Sequence, residues 1–154
     1  MSHENTNWNY SAAGVCIKDG KVLLARHTYG AGKGLLIIPG GYLENGESPE
    51  QAVVREFREE VNIAVEVRGL IGMRFNTRDW YAVFRVDYVD GTAQSDGDEN
   101  SEVLWVDTAE ALEREDVPYL TKALVKIALE GGGMVSLPYE SSRQPASLYG
   151  AAGL

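Results

Sequence analysis

The chain has 154 residues and a formal net charge of −9, so it cannot hold a nucleic-acid backbone by bulk electrostatics, which needs clustered Lys and Arg. Its 44% hydrophobic and 24% charged residues suit one domain with its own core; an anionic small molecule fits such a surface only where something local reverses the field, as a divalent cation would. No apolar stretch approaches the roughly 20 residues of a membrane span, and the polar start MSHENTNWNY holds no signal-peptide core, so a soluble, cytoplasmic protein is expected, as a monomer or a homodimer.

Tyr10 to Arg26 reads as a hairpin: SAAGVCI and KVLLAR are strand-like, and Asp19-Gly20 between them is a two-residue turn signal. Cys16 sits in the first run as a small hydrophobe and, being alone, forms no intramolecular disulfide. Residues 27–35, HTYGAGKGL, make a glycine-rich loop carrying Lys33, without the GxxxxGK[ST] pattern of a phosphate-cradling loop. A brief apolar run, Leu36 to Ile38, stops at Pro39-Gly40-Gly41, and a helix follows. Beyond it, AVEVRGLIGMRF and WYAVFRVDYV read as strands, DGTAQSDGDENSE as an acidic loop, and VLWV as a further strand. Thr108 opens a short helix. Pro118 stands near the start of another, whose Leu120, Leu124, Ile127 and Ala128 share a face and which Gly131-Gly132-Gly133 ends. Strands mixed with helices, without regular βαβ alternation, predict a mixed sheet flanked by helices in one domain over residues 1–133. The tail, 134–154, has little periodicity and is expected to gain order only by packing on the domain or on a neighbouring chain.

The helix between these strands carries the chemistry. Ser48 can cap it, Pro49 suits its first position, and Gln51 completes a capping box. It should run to about Val61, with Asn62 as the left-handed residue after its end. At about 100° per residue, Val54, Phe57 and Val61 form the buried stripe, and Glu56, Glu59 and Glu60 lie on the other side. That acidic grouping runs against local preference. Glu56 and Glu60 are a like-charge i, i+4 pair, and Glu59 and Glu60 sit where the helix dipole disfavours negative charge. Hard cations such as Mg²⁺ and Mn²⁺ take oxygen ligands, so a dication would turn this repulsion into binding energy.

Gly41, five residues, Glu47, seven residues, then Arg55-Glu56-Phe57-Arg58-Glu59-Glu60-Val61-Asn62-Ile63 resembles the signature of the Nudix hydrolases. Asn62 stands where that family usually has glycine; Asn tolerates a positive φ, so a small stability cost and intact chemistry are expected. The resemblance implies an α/β/α sandwich with a mixed, curled sheet, and an Mg²⁺- or Mn²⁺-dependent enzyme. Such an enzyme cleaves a pyrophosphate bond in a nucleoside diphosphate joined to another group. It implies Glu59 and Glu60 as principal metal ligands, Glu56 as a ligand or the base that activates water, and the Gly40 carbonyl as a further ligand. Arg55 would orient Glu47 or Glu59, and one more carboxylate would come from Asp96, Asp98, Glu99 or Glu102, with Glu99 favoured.

Because the substrate is anionic, Arg26, Arg74, Arg78 and Lys33 are candidate phosphate contacts, with Arg26, Arg74 and Arg78 preferred. Trp80 and Tyr81 are expected in the core, and His3 and His27 have no catalytic partner pattern. Two other readings fit the family: a non-catalytic nucleotide-binding regulator, and an RNA 5′-end pyrophosphohydrolase, against which the acidic surface counts.

Overall fold

The computed structural model describes residues 8–151, so His3 lies outside the described residues. The expected hairpin forms as β1 (Asn9–Lys18) and β2 (Lys21–His27). Asp19 and Gly20 turn the chain with φ of 52° and 76°, the paired positive values that match a tight turn to strand twist. β1 is buried continuously from Ser11 to Cys16 because both of its faces are covered. Ala12 and Cys16 pack into one core cluster, Ala13 and Val15 into another on the opposite side of the sheet.

β1 is also the hub of the sheet. One edge pairs in parallel with β6 (Asp79–Asp90). The other is divided between β4 (Gly40–Tyr42), antiparallel at Ser11–Ala13, and β2, antiparallel at Ile17–Lys18. Two partners diverging from one edge, together with three register shifts between β6 and β5 (Ala64–Phe75), curl the sheet. β2 adds β3 (Leu36–Ile37) and β7 (Asn100–Asp107), both antiparallel.

Helices cover both faces, which makes the fold the expected α/β/α sandwich. α1 (Pro49–Glu56) begins with the predicted capping box: Ser48 Oγ accepts from the Gln51 amide, and the Gln51 side chain accepts from the Ser48 amide. On the far side lie α2 (Thr108–Glu113) and α3 (Tyr119–Leu129). The buried face of α3 is Thr121, Leu124 and Val125, while Leu120, expected inside, is exposed. No helix among the described residues is long and apolar enough to cross a membrane.

α1 does not simply continue to Val61. Phe57–Val61 is a π-helical turn, closed by Asn62 at φ 61° with its amide donating to the Phe57 carbonyl. The buried residues fall in pairs four apart, Ala52-Val53, Glu56-Phe57 and Glu60-Val61. A regular α-helix would drift about 40° over each such step; the widened turn absorbs the drift. The expected stripe is corrected accordingly. Phe57 and Val61 are fully buried, Phe57 alone contributing about 2–3 kcal/mol, but Val54 is exposed, and Glu56 and Glu60 take the place predicted for apolar residues.

The segment after Gly133 extends the sheet. β8 (Met134–Leu137) pairs with β5 at Gly69 and Leu70, and β9 (Leu148–Gly150) pairs with β8. Gly69 permits the approach, since a Cβ there would lie 2.8 Å from the Met134 carbonyl. Tyr149 then packs on the Phe84 ring and donates its hydroxyl to Glu50 Oε2 at 2.8 Å.

A candidate active site of carboxylates beside the β4 strand

Three elements converge on a cleft of about 500 Å³: β4, the C-terminal half of the acidic helix, and the loop before β7. Glu56, Glu60 and Glu99 each offer a carboxylate oxygen, all within 4.8 Å of one another. Glu56 and Glu60 are 8% and 7% exposed, whereas Glu99, the residue just before β7, is exposed. Gly41 makes room for this approach, because a Cβ there would lie 2.6 Å from Glu56 Oε1. The Gly40 amide points toward Glu60 Oε2 at 3.4 Å.

Arg55 organises the acidic side chains. It grips Glu47 with two bonds, Nε to Oε2 at 2.7 Å and Nη2 to Oε1 at 2.9 Å. Its Nη1 donates to Glu56 Oε1 at 2.8 Å and to Glu59 Oε2 at 3.2 Å, and Nη2 also donates to the Tyr42 carbonyl. These bonds hold the Glu47 carboxyl below the usual range and keep the guanidinium protonated. Glu60 is left out of this network: among the described residues no Lys or Arg pairs with it. Burial, then the neighbouring carboxylates of Glu56 and Glu99, push its pKa well above the usual value. A buried carboxylate facing two others without a cation is the donor set that fits a hard divalent metal ion.

Other expectations are redistributed. Glu59 is more exposed than its neighbours, with 59% of its side chain accessible, and lies at the cleft wall outside the tight trio. Glu47 is bound by Arg55 and does not line the cleft. Asp96 and Asp98 are exposed; Asp96 caps the amides of Asp98 and Asn100. Glu102 is drawn away to Arg26, whose guanidinium is consumed by Glu102 at 2.7 Å, Asp116 at 3.1 Å and the Gly34 carbonyl. Arg26 therefore does not face the cleft. Arg78 and Lys33 are exposed and also lie outside its lining. Arg74 bonds to Asp79 at 2.9 Å and stacks over the ring of Tyr81, which does line the cleft.

The two aromatics expected in the core part company. Tyr81 is half-buried at the cleft, and Trp80 is 41% exposed in a surface cluster with Trp8, Tyr10 and Phe75. Residues that sequence reasoning passed over also form the walls: His27, stacked on Tyr29, and Tyr42. Burial lowers the His27 pKa, against the pull of Glu99. The signal for His27 lies in the pairing of β2 with β7, which sets it opposite Asn100, next to Glu99.

The fold agrees with comparison to known proteins. The family model for the NUDIX domain matches residues 8–125, and the chain belongs to the Nudix family. It is 37% identical over 126 residues to a MutT-like protein of Streptomyces ambofaciens, covering 80% of this chain and 78% of that protein. A 60-residue stretch is 42% identical to an ADP-ribose pyrophosphatase of Methanocaldococcus jannaschii, covering 39% of this chain but only 36% of that enzyme's length. A crystal structure of a Nudix hydrolase from Nitrosomonas europaea shares the fold, with a TM-score of 0.73 at 23% identity over 84% of this chain and 77% of that one.

Proposed function

We propose that the protein is an Mg²⁺- or Mn²⁺-dependent hydrolase that cleaves a phosphoanhydride bond in a nucleoside diphosphate linked to another group. The observation that carries this reading is the convergence of Glu56, Glu60 and Glu99 with no Lys or Arg paired to Glu60 among the described residues. The relative named as an ADP-ribose pyrophosphatase acts, by its name, on a bond of this kind. When bound among these carboxylates, a divalent cation would neutralise phosphate oxygens and lower the pKa of water.

The chain's own residues supply the rest. Glu56, Glu60 and Glu99 would hold the cation, with Glu59 and the Gly40 carbonyl on the cleft lining as further oxygen donors. Arg55 keeps Glu56 Oε1 fixed, and Glu56 or the loop carboxylate Glu99 takes the proton of the reacting water. Substrate is a small nucleotide, received between Tyr29 and Tyr42 on the walls and Tyr81 within the cleft. Arg74, behind the Tyr81 ring, and the exposed Arg78 and Lys33 are the sequence candidates left for a distal phosphate.

The test is turnover of a panel of nucleoside diphosphate derivatives with Mg²⁺ or Mn²⁺, with product analysis in ¹⁸O water to show which phosphorus is attacked. Glu60→Gln should lower turnover by about 10²-fold or more with an unchanged circular dichroism spectrum. Near-normal turnover in that variant would overturn the reading.

A further inference from the structure

The acidic loop between β6 and β7 is the cap of the acidic helix. Its chain groups meet three successive residues at the helix end: Asn100 Nδ2 donates to the Glu60 carbonyl at 2.9 Å, Gln94 N to the Val61 carbonyl at 3.0 Å, and Asn62 Nδ2 to the Thr92 carbonyl at 3.0 Å. The loop is braced from its other side too. Asp96 Oδ1 accepts from the Asn100 amide, Ser95 Oγ donates to the Asn100 carbonyl, and the Thr28 amide donates to the Glu99 carbonyl at 3.2 Å.

Asn100 is the unusual member of this set. It is 2% exposed, and its Oδ1 is buried without a hydrogen-bond partner among the described residues. Burying an amide with its oxygen unmatched is unfavourable, so the residue must do something that an apolar side chain of similar volume could not. Its one bond ties the backbone of Glu60 to the residue adjacent to Glu99. Those two carboxylates and Glu56 repel each other, and the exposed Glu99 is the one free to swing away.

We propose that Asn100 is a positioning residue for the carboxylate trio: its amide clamps the Glu60 carbonyl so that Glu99 stays within reach of Glu56 and Glu60 before a cation arrives. This rests on the trio being a divalent-cation site. The clamp is neutral and uses the amide N–H, so it holds the loop without adding a charge. Preorganisation of this kind raises cation affinity from outside the ligand set.

The test is Mn²⁺ binding to the full chain without nucleotide, by calorimetry and by the electron paramagnetic resonance signal of free Mn²⁺. Asn100→Ala should weaken Mn²⁺ binding about tenfold or more. Glu99→Gln should also weaken it, and the double variant should bind no more weakly than Glu99→Gln alone, because Asn100 acts through Glu99. Asn62→Gly, which removes another loop-to-helix bond, should leave Mn²⁺ affinity unchanged. If Asn100→Ala does not fold, Asn100→Ser, whose hydroxyl is too short to reach the Glu60 carbonyl, carries the same cycle. A tenfold loss that persists in the Glu99→Gln background, or an equal loss in Asn62→Gly, would overturn the positioning role and leave the metal reading standing. Unchanged affinity in Asn100→Ala, or in Glu99→Gln itself, would likewise overturn the positioning role, whereas absence of Mn²⁺ binding by the unaltered chain would overturn the metal reading with it.

Discussion

Arg55 and Glu47 are joined by two parallel hydrogen bonds, at 2.7 and 2.9 Å, and the same guanidinium reaches Glu56 and Glu59. One cation thus sets the positions of three carboxylates, two of them at the cleft. Both partners of the principal pair are mostly shielded, with side-chain exposures of 20% and 12%.

Arg55→Lys keeps the charge but loses the fork, and should lower stability by about 2 kcal/mol in urea denaturation. The hydrogen bond from Arg55 holds the Glu47 carboxyl below the usual carboxylate range. A depressed carboxyl contributes stability above its unfolded-chain pKa and loses it as pH falls through the folded value. The difference between wild type and variant should therefore be full at pH 7 and shrink below about pH 4.

Glu60 has the opposite sign. Its pKa is raised by burial and by Glu56 and Glu99, so in the metal-free protein a destabilising contribution sets in above about pH 4.5 and grows as pH rises toward the folded value. Metal-free Glu60→Gln should then be more stable than wild type by about 2 kcal/mol at pH 8 and equal to it near pH 4.5, measured by thermal or urea unfolding. Saturating Mg²⁺ should stabilise the wild type and erase the variant's advantage.

Asn62 holds φ 61° and ψ 34°, a conformation glycine adopts freely, and also donates to the Thr92 carbonyl. The two effects offset in Asn62→Gly, which should change stability by less than about 1 kcal/mol. Asn62→Ala loses the bond and keeps the strain, so it should cost about 2 kcal/mol. Turnover should be unchanged in Asn62→Gly.

Tyr149→Phe removes the hydroxyl from Glu50, whose Oε1 is already buried without a partner among the described residues. Stability should drop by about 1–2 kcal/mol, with no change in Mn²⁺ affinity, because the contact lies at the opposite end of α1 from the carboxylate trio.

What could be read from the sequence was local. The Asp19-Gly20 turn, the Ser48 capping box, Asn62 at the helix end and the crowding of Glu56 and Glu60 each depend on neighbours a few residues away. What could not be read depends on pairing across the sheet. Glu99, favoured through the family resemblance and not from local spacing, stands with the trio where β2 and β7 align His27 with Asn100, and Arg26 is lost to the cleft because Glu102 and Asp116 meet it from distant segments. The π-helical turn escaped because the apolar spacing of Phe57 and Val61 fits an ordinary helix as well; the evidence lay in the carboxylates, which it brings inside. β8 and β9 are four and three residues long, too short for an alternating pattern to declare itself.

That widened turn has a practical consequence for anyone engineering the protein. It is one residue longer than a regular helix needs, and a redesign that idealised the segment, by deletion or by strong helix formers, would rotate Glu60 out of line with Glu56. Hardening the enzyme against heat has to begin elsewhere, along the β8–β9 margin or the exposed faces of α2 and α3, where nothing is asked of the backbone except that it stay folded.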